Sequence, residues 1–214
     1  VLVLGATGGT GRCVVDVALA RGWRVTALVR DPARLPVAHP DLRVVVGQVT
    51  DPAAVAAALP GHDAVVSALG QQRGSPDDLL RRAMDVVIPA MRAAGVRRLV
   101  AVSGAAVKFP GDAPTPLLER LVVPLIRTFV PRWVDDTRGY ADRVADSGLD
   151  WVLVRPTALT NGRGGRPVLA RDTLSYGPLA SIDRADLAAF VVDALTADTW
   201  LRRTPMLTTT GARS

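Results

Sequence analysis

Short apolar runs alternate along the chain with segments of helical period. The runs Val1–Leu4, Arg24–Val29, Leu42–Val46, Ala64–Ser67, Leu99–Ser103, Trp151–Arg155 and Met206–Thr209 read as strands. Several are almost wholly Val, Leu or Ile, without the polar alternation of a sheet that has one wet face, so both faces are expected to be covered. Leu80, Ala83, Met84, Val87, Ile88 and Met91 recur at helical spacing, as do Leu187, Phe190, Val191, Ala194 and Leu195. Pro89 falls inside the first of these helices, where a missing N–H predicts a kink. Strand and helix in alternation imply an α/β fold, a Rossmann-like, doubly wound parallel sheet of about seven strands with helices on both faces.

One irregular stretch, Gly104 to Pro131, interrupts this alternation after the fifth strand. Loops there lie beyond the carboxyl ends of the sheet, where ligands bind in such folds. The segment at about 104–134 is therefore expected to be a lid, a substrate wall or an interface. Its middle, Leu117–Val130, is apolar and suits a packing or dimer helix as well as a substrate wall. At 214 residues the chain can build one substantial core, and residues 1–214 are read as a single domain.

The chemistry starts at the first turn. Gly5-Ala6-Thr7-Gly8-Gly9-Thr10-Gly11-Arg12 follows a strand and opens a helix. In that context glycines let the backbone approach a pyrophosphate, whose charge then rests on the helix N-terminus. The second strand ends at Arg30, about where an NAD enzyme carries an acidic residue for the ribose hydroxyls. An arginine there suits a 2′-phosphate, hence NADP(H) in preference to NAD(H), and Arg12 and Arg34 could join it or be plain solvated residues.

Composition narrows the alternatives. The chain is 49% apolar and 21% charged, which excludes long disordered tracts. One cysteine, Cys13, excludes an internal disulfide framework, and with two histidines, His39 and His62, no metal site is expected. Both histidines fall in predicted loops away from the sheet's carboxyl edge and are expected to be solvated. A pI near 10.8 raises nucleic acid as a partner. The arginines are scattered, however, and aromatic residues for base stacking are few, so no nucleic-acid role is expected. The most apolar stretch, Leu117–Val134, is broken by Glu119, Arg120, Pro124, Arg127 and Pro131, so no membrane span is expected and the cytoplasm is the default location.

The glycine-rich turn, Leu28-Val29-Arg30-Asp31-Pro32, Val46-Gly47-Gln48-Val49-Thr50-Asp51, Val65-Val66-Ser67-Ala68-Leu69-Gly70, Val154-Arg155-Pro156 and Ile182-Asp183-Arg184-Ala185-Asp186-Leu187 together resemble the atypical short-chain dehydrogenase/reductase group. Within it the chain is similar to the NAD(P)H-binding proteins that include biliverdin-IXβ/flavin reductase and NmrA-like proteins. The resemblance implies that Gly5–Arg12 takes the pyrophosphate and that Gln48 and Val49 face the adenine, though the family more often has Asp in place of Gln48. It further implies that Ala68, Leu69 and Gly70 line the ribose side, with Ser103 and the Arg155-Pro156-Thr157 turn near the nicotinamide.

Ordinary members of that superfamily use Tyr-x-x-x-Lys to exchange a proton with a carbonyl. Here the tyrosines are Tyr140 and Tyr176, four residues before Val144 and Ala180, and the one lysine is Lys108. Where many relatives carry Lys, this chain has Thr137. Ser103 remains as a residue that could bind a carbonyl or the nicotinamide amide, or merely end its strand. Tyr140 supplies a proton if it points inward, and Asp136 is an acid–base candidate or a helix cap. Hydride transfer to a flat conjugated acceptor tolerates this poverty, because solvent can return the proton. A flavin, quinone, enone or tetrapyrrole-like molecule fits, against a wall of Phe109, Leu117, Leu118 and Trp133. Two other functions remain open: a non-catalytic NADP(H)-binding sensor, and an epimerase or dehydratase that recycles its cofactor. The chain is expected to be a monomer or homodimer.

Overall fold

The computed structural model describes residues 1–72, 74–105, 107–109, 112 and 131–212. The first half of the chain runs β1 (Leu2–Leu4), α1 (Gly9–Ala20), β2 (Val25–Val29), β3 (Leu42–Val46), α2 (Pro52–Ala58), β4 (Ala64–Ser67), α3 (Leu79–Ala93) and β5 (Arg98–Val102). The second half has α4 (Pro131–Ala145), β6 (Asp150–Pro156), β7 (Ala158–Thr160), β8 (Leu169–Arg171), β9 (Tyr176–Asp183), α5 (Arg184–Asp193), β10 (Met206–Thr208) and β11 (Thr210–Ala212).

All seven strands expected from sequence are present and lie in one sheet, in the order β3-β2-β1-β4-β5-β6-β10, with β8 added antiparallel at the edge. Successive side chains on a strand point to opposite faces, and on the central strands both faces are covered, while the edge strand β3 leaves Val44 and Val46 exposed. Val3, Val66, Val100 and Val152 pack with Val14 and Val15 of α1 and Leu187 and Val191 of α5. Leu2, Leu4, Val65, Leu99 and Leu153 pack with Val55 of α2, Met84 and Val87 of α3, and Val144 of α4. This is why their apolar runs carry no polar alternation.

The sequence pattern missed β7, β8, β9 and β11, three of which form a second sheet in the order β11-β9-β7. Strands of three residues are too short to establish a period, and Gly177 and Pro178 interrupt β9. The helix α3 continues through Pro89, whose missing N–H leaves one carbonyl of the preceding turn without its intrahelical bond. The middle of the expected lid, residues 113–130, including Leu117 and Leu118, lies outside the described residues.

Strand order reverses between β2 and β4, the two neighbours of β1. Crossovers on either side of such a point leave a crevice at the carboxyl ends of the strands. That crevice holds the site.

Candidate active site

The turn after β1 is set by close approach. Gly5 has φ +79°, and a Cβ on it would lie 2.5 Å from the carbonyl oxygen of Ala68, just beyond β4. A Cβ on Gly11 would collide with the carbonyl of Gly5. The Gly8 N–H donates to Gly5 O at 3.0 Å, and α1 begins at once, with Arg12 N donating to Gly8 O at 2.9 Å. The first N–H groups of any helix lack intrahelical acceptors. Those of α1 get no side-chain cap from Gly8 and no acidic residue in the first turn. This leaves a cradle for an anion at the positive end of the helix.

From this turn a cleft of about 180 Å³ runs toward the ends of β2 and β3. Among its lining residues are Arg30, Gln48, Val49, Ala68, Leu69 and Gly70, all expected from sequence to meet the adenosine half of a dinucleotide. Asp31 is engaged locally, its carboxylate accepting from Ala33 N at 3.0 Å, so Arg30 alone of the two faces the cleft. Arg12 Nη2 donates to the backbone carbonyl oxygen of Arg34 at 2.5 Å, and neither arginine is among the residues lining the cleft. Thr50, Ser75 and Arg82 also line the cleft and were not foreseen. Reading α3 for its apolar stripe ignored the polar position Arg82.

On the other side of the turn lies a larger cavity of about 610 Å³. Gly8, Ala68, Leu69, Gly70 and Gln72 border both spaces, so the two adjoin at the turn. Ser103, Pro156 and Thr157 line the larger part, as does Trp133. The hydroxyl oxygens of Ser103 and Thr157 are buried and have no hydrogen-bond partner among the described residues. An unpaired buried hydroxyl costs free energy that a bound ligand recovers. Lys108, Arg138 and Arg184 also border this cavity and were not anticipated as site residues.

Arg155 is corrected. It was expected beside the nicotinamide, but it is fully buried and each of its three nitrogens is engaged. Nε donates to Thr204 O at 2.9 Å, Nη1 to Val107 O at 3.1 Å and Asp112 Oδ2 at 2.6 Å, and Nη2 to Asp112 Oδ1 and Asp172 O, both at 2.9 Å. Burial alone would raise the Asp112 carboxyl, but the Arg155 guanidinium and the Phe109 N–H outweigh it and hold it below the usual carboxylate range. The ring of Phe109 lies against Arg155 at 5.0 Å and Arg138 at 5.6 Å, so it packs the segment after β5 onto β6 and α4.

The structure places Tyr140 and Asp136 in supporting positions. Tyr140 is fully buried, and its hydroxyl donates to Ser67 Oγ at 2.8 Å. Burial pushes the phenol well above its ordinary pKa, with the Ser67 bond opposing only in part. Asp136, wholly buried, accepts from Leu80 N at 2.9 Å and Arg81 N at 3.0 Å. It therefore caps α3, whose own Asp78 makes no capping bond, and it also holds Gln71 Nε2 at 2.6 Å. Thr137 donates back to Trp133 O at 2.8 Å. His39 is a loop residue that accepts from Asp41 N at 3.1 Å. His62 is half-buried rather than solvated, and burial lowers its pKa to about 4.

A doubly wound sheet with a glycine-forced turn at its switch point, flanked by a cleft and a larger cavity, defines a dinucleotide-binding fold. The chain belongs to the NAD(P)H-binding family, whose model matches residues 5–198. It is 36% identical over 202 residues to (4-alkanoyl-5-oxo-2,5-dihydrofuran-3-yl)methyl phosphate reductase of Streptomyces griseus, covering 92% of this chain and 63% of that protein. It is 32% identical over 218 residues to the chloroplastic divinyl chlorophyllide a 8-vinyl-reductase of Zea mays, covering 91% of this chain and 51% of that one. The chain thus spans between half and two-thirds the length of these two relatives. Among solved structures, the anaerobillin reductase ChuY of Escherichia coli superposes with a TM-score of 0.80 at 22% identity, covering 100% of this chain and 98% of that one. Among the described residues no helix is long and apolar enough to cross a membrane.

Proposed function

We propose that the protein is an NADPH-dependent reductase that directs hydride onto a flat, conjugated acceptor held in the larger cavity. The observation that carries this is that Ser103 and Thr157, whose buried hydroxyls have no partner among the described residues, line the same cavity as the anion cradle. When bound, reduced nicotinamide supplies the hydride, and solvent supplies the proton that completes the reduction. Ser103 and Thr157 orient the carboxamide or a substrate carbonyl, while Val102, Val107 and Leu159 keep the reacting face dry. Tyr140 serves as a strut on Ser67 and transfers no proton. Arg30, which lines the smaller cleft, binds the 2′-phosphate and selects NADPH over NADH. Support also comes from relatives named as reductases of an oxo-dihydrofuran and of a vinyl-bearing chlorophyllide, both conjugated molecules.

The test is calorimetric titration with NADPH and NADH, followed in the same samples by absorbance at the nicotinamide band after flavin and quinone acceptors are added. Tight NADPH binding with steady oxidation is expected. Tight binding without oxidation by any conjugated acceptor would replace the reductase with a dinucleotide-binding sensor. Absence of binding would remove both.

A further inference from the structure

The loop after β4 brings two glutamines, Gln71 and Gln72, to the larger cavity. The side-chain amide of Gln71 is held in place. Its Nε2 donates to Pro76 O at 3.0 Å and to Asp136 Oδ2 at 2.6 Å. Pro76 belongs to the same loop, and its carbonyl also accepts from Leu79 N at 3.2 Å. Asp136 comes from α4 and is wholly buried. Ser75 closes the loop between Gln71 and Pro76: its Oγ accepts from Gln72 N at 3.2 Å, and its own N–H donates to Gln72 O at 2.9 Å.

An amide can be turned end for end, so its partners decide which end is the nitrogen. Here both partners only accept. The Asp136 carboxylate is already surrounded by donors: Leu80 N at 2.9 Å on Oδ2, and Arg81 N at 3.0 Å with Arg81 Nε at 3.4 Å on Oδ1. With the amide reversed, its oxygen would face a carboxylate oxygen at 2.6 Å, two acceptors in contact with no proton between them. The nitrogen end is therefore fixed on Asp136, and Oε1 is left over as an acceptor. Gln71 makes no other hydrogen bond among the described residues. The same cavity is bordered by the Ser103 and Thr157 hydroxyls and by Trp133, 44% exposed, which offers a flat apolar face.

We infer that Gln71 is a specificity-determining acceptor, which through Oε1 selects a ligand presenting an N–H beside its conjugated ring. Resting on the reductase reading above, this narrows the hydride acceptor to a cyclic imide or lactam, ahead of quinones and enones that carry no such donor. The carbonyl next to that N–H is of the kind the Ser103 and Thr157 hydroxyls can meet. The carboxamide of reduced nicotinamide carries the same N–H chemistry and is its second source.

The experiment compares wild type, Gln71→Lys and Gln71→Met. Lysine keeps a donor for Pro76 O and Asp136 but has no acceptor, and methionine has neither a donor nor a strong acceptor. The probes are lumiflavin and lumiflavin methylated on its imide nitrogen, titrated in excess NADP⁺ and read by quenching of flavin fluorescence. One neutral hydrogen bond is worth about two- to twelvefold in affinity, so wild type should prefer lumiflavin by at least that factor. Both variants should lose that part of the preference, and since each is tested on the same two flavins, the bulk of the added methyl cancels. A second arm compares NADPH with its reduced acetylpyridine analogue, which has no carboxamide N–H, by calorimetry. A preference for NADPH that both variants lose, with none between the flavins, would keep the acceptor and assign its N–H to the cofactor. Preferences lost in the variants, from a wild type that oxidises no NADPH, would remove the reductase and leave the role of Gln71 standing. Both preferences absent from wild type, or kept in full by either variant, would overturn that role even if NADPH is steadily oxidised.

Discussion

Replacing Arg155 by methionine separates a structural from a cofactor-binding role for this residue. The guanidinium is fully buried, and the Asp112 side chain it grips is 6% exposed. Methionine fills much of the same space and removes the guanidinium's N–H donors. Asp112 keeps only its bond from Phe109 N at 2.8 Å, and the carbonyls of Thr204, Val107 and Asp172 lose a donor. Breaking one side of a buried ion pair costs roughly 3–5 kcal/mol, most of it from the stranded charge. At roughly 2–4 °C per kcal/mol for a chain of this size, the midpoint of thermal unfolding should fall by about 6–20 °C. Asp112→Asn should cost less, and the double variant should cost less than the two singles together. Acid sharpens the test. The folded-state pKa of Asp112 lies below its ordinary value of 3.8, so the pair's stabilisation is full above that value and lost as pH falls through the folded pKa. Scanning calorimetry from pH 7 to pH 3 should show an acid-labile component in wild type that Asp112→Asn lacks. A midpoint that hardly moves in Arg155→Met, with NADPH affinity lost instead, would refute the latch and return Arg155 to the cofactor.

Three further outcomes follow from the same geometry. Arg30→Ala should weaken NADPH about ten- to a hundredfold and NADH far less, by calorimetry; equal losses would remove the 2′-phosphate assignment. Ser103→Ala and Thr157→Val delete hydroxyls that hold no partner among the described residues, so stability should stay within about 1 kcal/mol of wild type while turnover drops; a large loss of stability would mean these hydroxyls are already bonded in the free protein. Tyr140→Phe should cost about 1 kcal/mol, the worth of its bond to Ser67, and leave the pH–rate profile unmoved, whereas loss of an alkaline limb would reinstate the phenol as proton donor.

The features that could be read from sequence are those whose physics is local. The run Ala64-Val65-Val66-Ser67 is apolar on both faces because Val65 and Val66 meet helices on opposite sides, and that is visible without coordinates. Gly5 needs a positive φ and Gly11 a bare backbone, so the turn declares itself in four glycines. Arg30 follows from counting to the end of β2. What stayed hidden is set by partners distant in the chain. Arg155 stands at the carboxyl edge, where a cofactor residue belongs, and only the fold brings Asp112 to it across 43 residues. Asp136 has the composition of a helix cap, but the helix it caps begins more than fifty residues earlier. In each case the residue type was compatible with several roles, and the choice among them was made by a charge or a close approach that chain order conceals. The same logic explains the missing catalytic pair. Tyr140 and Asp136, two of the residues weighed for proton chemistry, are engaged instead by Ser67 Oγ and by the first turn of α3.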